Sequence, residues 1–228
     1  MAFGRTQTTQ NGDTSGSVTI AFTFGSPVTS GGTVLGVVSC DNGADILTIA
    51  DDQLNTYTVV TNVNDTTQGQ RWASFGRGNI TNAPTVITIT FTGSIGFRGG
   101  IVDEFSGADA SVNNRDGGTG QNQAAAGTGT DAITSTAIVT TVAGDLIWGA
   151  CYREEDTTLP TAGTGFTNSG SEAVFQGGRT EYLTQSSAGS IAATFTKAGA
   201  GRTIALIVAV KAAGGAAPAT PKSTQLMM

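Results

Sequence analysis

Acidic side chains are the first residues in this sequence that could do chemistry. Asp41, Asp45, Asp51 and Asp52 crowd into CDNGADILTIADD, and carboxylate oxygens at such spacing can hold calcium. No EF-hand pattern accompanies them, and Asn42-Gly43 marks a tight turn, so they read as solvated turn residues. Glu154, Glu155 and Asp156 occupy the corresponding place in the second half and read the same way. Asp103 and Glu104 form the obvious carboxylate pair for glycoside hydrolysis. Neighbouring strand residues point to opposite faces, however, so the two could not flank one glycosidic bond. With no histidine in the chain, a Ser-His-Asp or Cys-His site cannot form within it, and zinc sites of the usual Cys/His kind are excluded. No catalytic residue, metal site or cofactor is expected, and the chain reads as a non-enzyme.

The aromatic residues Trp72, Trp148, Tyr57, Tyr152 and Tyr182 could instead offer a flat platform to sugar rings. Trp148 sits in an apolar run and reads as core. Trp72, between Arg71 and Ala73, is either a sugar platform or an aromatic residue of a core or subunit interface. Leu226, Met227 and Met228 at the far end form a candidate apolar anchor for a neighbouring protein. Cys40 and Cys151 each follow an apolar run and read as buried free thiols, with a cross-sheet disulfide as the alternative.

These residues need a scaffold, and composition names its class. Ile and Val together number 30 against 8 Leu, with 38 Thr and 33 Gly, a set that favours pleated strands and tight turns over helices. Net charge is −6 with the 11 basic residues scattered singly, so there is no basic stripe to neutralise a phosphate backbone and nucleic acid is a poor partner. No apolar run is long enough for a membrane helix, and membrane insertion is not expected. The opening MAFGRTQTTQNGDTSGS lacks an apolar signal-peptide core, so the expectation is a protein made without an export tag.

Strand-like segments recur at short spacing: 17–24, 33–40, 56–63, 71–77, 85–92 and 97–105, then 132–141, 145–152, 172–175, 180–184, 190–196 and 202–211. A dozen short strands divided by Gly, Asn, Asp and Pro clusters indicate an antiparallel β-sandwich or barrel. TVLGVV and TIALIVAV are continuous apolar runs, as in strands covered on both faces. Three segment pairs echo each other: TVLGVVSCD with GDLIWGACYR, Arg71–Phe75 with Arg179–Leu183, and TFTGSIGFR with TFTKAGAGR. The two halves are expected to share one core. Residues 1–16 read as an N-terminal arm, 17–212 as the sandwich domain, and 213–228 as a flexible C-terminal tail. Each terminus is either disordered or an arm that orders on a neighbour.

The order TVLGVVSCDNGA, RWASFGRG, PTVITITFTGSIGFRGGIVDEFSGAD, TTVAGDLIWGACYREE, TIALIVAVKAA resembles the jelly-roll-type β-sandwich domain of bacterial surface proteins and phage structural proteins, decoration and tail-associated components included. The resemblance implies a structural protein of a virus particle, located in the virion and contacting other virion proteins and copies of itself. The alternative it carries is an extracellular adhesive module that binds a host-surface glycan.

Overall fold

The structure is a computed structural model that describes residues 3–41, 44–65, 69–124, 131–153, 158–174, 176–198 and 201–214. Among the described residues there is no helix. The first half supplies β1 (Gly4–Asp13), β2 (Ser17–Thr23), β3 (Thr33–Asp41), β4 (Ile46–Asp51), β5 (Thr58–Asp65), β6 (Gln70–Arg77), β7 (Val86–Ile95) and β8 (Arg98–Ser106). The second half supplies β9 (Arg115–Ala124), β10 (Asp131–Thr134), β11 (Ile138–Val139), β12 (Leu146–Arg153), β13 (Thr161–Ala162), β14 (Thr167–Glu172), β15 (Gly177–Thr184), β16 (Ser190–Ile191), β17 (Thr194–Lys197) and β18 (Thr203–Val210).

Antiparallel pairing gives the first half a large sheet of order β1-β8-β3-β6-β5 and a small one of order β2-β7-β4. The second half repeats both, with a large sheet β9-β18-β12-β15-β14 and a small sheet β10-β17-β13 continued by the β11-β16 pair. Strand for strand, β9 stands for β1, β12 for β3, β14 for β5, β15 for β6 and β18 for β8. The echoes in the sequence therefore mark a repeated topology, and the chain is an all-β antiparallel sandwich built from two similar halves.

The expectation of one shared core is corrected, because three apolar layers separate four sheets. Ile20, Phe22, Val34, Val38, Phe75, Ile89 and Phe91 fill the first half between its large and small sheets. Ile133, Ile147, Phe195, Ala205 and Ile207 do the same in the second. Between the two large sheets lies the third layer, with Leu35, Val37, Trp72, Ile101 and Phe105 from one half against Leu146, Trp148, Tyr152, Leu206 and Val208 from the other. A central strand in a large sheet is thus covered on both faces. Along β18, Ala205, Ile207 and Ala209 point into the second half while Ile204, Leu206, Val208 and Val210 point into the middle layer. That is why TIALIVAV and TVLGVV are continuous apolar runs rather than alternating ones.

The large sheets lie strand over strand, with β1 over β14, β3 over β12 and β5 over β9. Since β1 matches β9 and β14 matches β5, this is the arrangement a two-fold axis through the β3–β12 crossing produces, as in an isologous dimer fused into one chain.

Two further expectations are corrected. Residues 4–13, expected within an arm, form β1 along the edge of the first large sheet, registered against β8 from Gly4↔Ser106 to Asp13↔Arg98. The interval between the expected strands at 97–105 and 132–141 contains β9, paired with β18. The segment expected at 172–175 shifts back, since β14 ends at Glu172. Of the expected tail, Ala213 donates its N–H to the Gly107 carbonyl at 2.8 Å, and residues 215–228 lie outside the described residues.

Candidate functional site

Burial rules out Trp72 as a sugar platform. Trp72 is 0% exposed and stands in the middle apolar layer, so its ring cannot meet a glycan. β6 has the second half stacked on that face, which the sequence of one strand does not reveal. Trp148 is core as expected, and its indole Nε1 donates to Asp103 Oδ2 at 2.9 Å. Leu226, Met227 and Met228 lie outside the described residues, as do Glu154, Glu155 and Asp156.

Asp103 and Glu104 do face opposite ways. Asp103 lies between the large sheets and also accepts Ser169 Oγ at 2.6 Å, which ties the halves together. Glu104, on the other face, accepts Gln7 Nε2 at 2.6 Å and the Thr29 N–H at 2.8 Å. The acidic residues near the β3–β4 turn are likewise committed to local structure. Asp51 accepts Asn55 Nδ2 at 2.8 Å and the Tyr57 hydroxyl at 2.9 Å, Asp52 accepts the Thr85 hydroxyl at 2.8 Å, and Asp45 is ion-paired with Arg71. Cys40 and Cys151 are free and buried in separate apolar layers, and burial pushes the Cys40 thiol up to about 12.

What the sequence did not show is a polar recess at one seam between the halves. Here β5 and the end of β6 face the start of β9 and the loop before it, around a cavity of about 160 Å³ lined by Thr58, Arg77, Val112, Asn113, Asn114 and Arg115 over a floor of Leu35. It is continued by a second recess that shares Asn113 and Arg115 and is bounded by Val60, Gly117 and Gly118. Among the described residues no carboxylate lines either one. In a chain of net charge −6, two guanidinium groups converging on one cavity create a local positive field. Asn114 is fixed by donating from Nδ2 to Thr33 Oγ1 at 2.8 Å, and Arg77 is held by a bond from Nη1 to the Thr56 carbonyl at 3.0 Å. Arg77 and Arg115 stand far apart in sequence and meet only because β5 and β9 are brought together by the stacked sheets.

Close to this seam, at the starts of β9 and β12, sits a carboxyl pair. Burial, together with a hydrogen bond and the negative charge of Asp116, raises Asp145 to about 7. Burial would raise Asp116 too, but hydrogen bonds from Asp145 and Thr141 hold it well below the usual carboxylate range. Thr141 Oγ1 donates to Asp116 at 2.6 Å. The pair shares one proton near neutral pH, as close carboxyls do. Asp145 is 0% exposed, so the pair is placed to hold structure rather than to attack a substrate.

No family model and no curated protein matches this chain.

Proposed function

We propose that this chain is a non-enzymatic structural protein of a virus particle, a phage decoration or tail-associated subunit that works through protein surface contacts. The observation that carries the reading is the pair of outer faces. On the first small sheet, Thr19, Thr90 and Thr48 stand in one cross-strand row and Ala21, Thr88 and Ala50 in the next. On the second, Ala132, Thr196 and Thr161 form the matching row, with Thr134 beside Thr194. The two ends of the four-layer stack thus present small, uncharged side chains. Covering hydroxyls and methyls desolvates no charge, so close repeated contact with neighbours is inexpensive there. Within each half the first and last strands run side by side, next to β3 in one and β12 in the other, which supports reading each as jelly-roll-like. Quantitative mass spectrometry of purified particles tests the proposal: many copies per particle are expected, and absence from particles overturns it. Replacing Thr90 with Lys should then reduce incorporation without unfolding the chain.

An extracellular adhesive module that binds glycans is the second reading. The arginine-lined recess favours it, in place of Trp72.

A further inference from the structure

The two seams of this pseudo-dimer should be equivalent, and they are not. Strand register fixes the comparison. Arg5 of β1 lies opposite Phe105 of β8, and Arg115 of β9 lies opposite Val210 of β18. Phe105 and Val210 both face the middle layer, so the two arginines leave their sheets on the same face, each toward the other half. At the first seam Arg5 Nη1 crosses to the Ser169 carbonyl at 3.1 Å. Ser169 lies in the β14 bulge between Asn168 and Ser171. The first seam is tight: a Cβ on Gly170 would come within 2.7 Å of Thr8 Oγ1, far closer than unbonded atoms pack.

At the second seam Val60, in the β5 bulge between Val59 and Thr61, and Arg115 both line the recess. Arg115 Nε is held by Asn113 Oδ1 at 2.8 Å, and no bond among the described residues uses its other N–H groups. Gly118, beside it, has open space where a Cβ would stand. Arg77 adds a second guanidinium to the lining of the recess, held by its bond to the Thr56 carbonyl.

We propose that the recess between β5 and β9 binds the carboxylate of an acidic sugar residue, a uronate or sialate, with Arg115 and Arg77 gripping the carboxylate and Asn113 meeting a ring hydroxyl. Guanidinium groups match a carboxylate with paired N–H donors, and the Asn113 amide can meet a hydroxyl as donor or acceptor. Val112 and Leu35 give an apolar surface for the C–H face of a ring, and a few polar groups among apolar ones is the usual make-up of a small-molecule site. The inference does not depend on the virion reading, since a sugar site could serve either protein class.

Ligand-observed NMR and calorimetry on the full chain, with free glucuronate, N-acetylneuraminate, glucose and sulfate as probes, decide it. At least one acidic sugar should bind in the millimolar range or tighter, with glucose and sulfate at least tenfold weaker. Arg115→Ala and Arg77→Gln should each weaken that binding at least tenfold, while Arg5→Ala, at the closed seam, should bind as wild type. Arg115→Lys, which keeps the charge and loses the fork, covers the case in which the alanine variant fails to fold, and it should also weaken binding. Failure of both acidic sugars to bind, binding unchanged by the Arg115 and Arg77 substitutions, or sulfate binding as tightly as the sugars would each overturn the proposal.

Discussion

The halves share one strand order and differ in how they treat charge. In the first half, buried cations are matched with acids: Arg98 Nη2 donates to Asp13 at 2.6 Å and to three backbone carbonyls through its other nitrogens, and Arg71 is paired with Asp45. In the second half two buried carboxyls hold their protons up to near neutral pH. Burial lifts Glu181 to about 7 against the opposing pull of the Gly163 and Thr194 amides, and Asp145 stands at about 7 beside Asp116. The outer sheets differ too. The first uses strands of 7, 10 and 6 residues, whereas the second is assembled from pieces of 4 residues or fewer. Topology was copied, while electrostatics and sheet length diverged, so one fold contains a firmly built half and a pH-sensitive one.

The largest expected effect tests whether the middle layer makes the halves one cooperative unit. Trp148→Ala removes a fully buried indole and one of two donors to Asp103, and should destabilise by about 3–5 kcal/mol. Because that layer belongs to both halves, the denaturant transition followed by circular dichroism should move as a single step. Two separated steps in the wild type would show that the halves unfold independently.

A second, somewhat smaller effect separates the halves by pH. Asp145 has a folded value of about 7 against an ordinary 3.8, and Glu181 about 7 against 4.5. As pH rises from 4 to 7 the unfolded chain loses these protons first, so stability falls over that window and levels off above it. The fall should be on the order of several kcal/mol, partly offset at its acid end by Asp13 and Asp109, whose hydrogen bonds to Ser15 and Ser111 lower their values. Urea melts at pH 5 and pH 8 measure it. Asp145→Asn and Glu181→Gln, which mimic the protonated forms, should each flatten the profile, and a wild type at least as stable at pH 8 as at pH 5 would remove the argument.

The seams supply a third contrast. Arg5→Ala loses a cross-half hydrogen bond and should cost about 0.5–1.5 kcal/mol. Arg115→Ala, on the middle-layer face of β9 at the open seam without a cross-half bond, should change the stability of the unliganded chain by less than about 0.5 kcal/mol. Paired thermal melts suffice, and equal costs would mean that the seams are not as different as their geometry.

Much of this architecture was legible in the sequence for a physical reason. Strands buried on two faces announce themselves as apolar runs, and β3 and β18 were found on that ground. The two long strands that escaped, β1 and β9, are the same strand in each half. GRTQTTQNGD and RDGGTGQNQA carry no apolar alternation because both are edge strands, placed by backbone pairing to β8 and β18 rather than by burial. Trp72 was open to two readings because a strand sequence shows that a face is apolar, not what covers it. The seam recess was invisible for a related reason: Arg77 and Arg115 become neighbours only through a stacking of sheets that no local pattern encodes.

The smallest perturbation uses the cysteines as paired reporters. Cys40 lies in the first-half core and Cys151 in the second, and burial raises both thiols, so neither reacts with a disulfide reagent until its half opens. Cys40→Ala and Cys151→Ala leave one thiol each and should lower stability by about 1–2 kcal/mol. Labelling rates under native conditions then give the opening free energy at each site separately. The short outer strands over Cys151 leave fewer cooperative hydrogen bonds to break than the long β2, β4 and β7 near Cys40, so Cys151 should label faster. Raising the pH from 6 to 8 should widen the gap beyond the trivial increase in thiolate, because Glu181 loses its proton within the same core. Equal rates at both sites, tracking global unfolding, would mean that the middle layer locks the halves so tightly that neither opens alone.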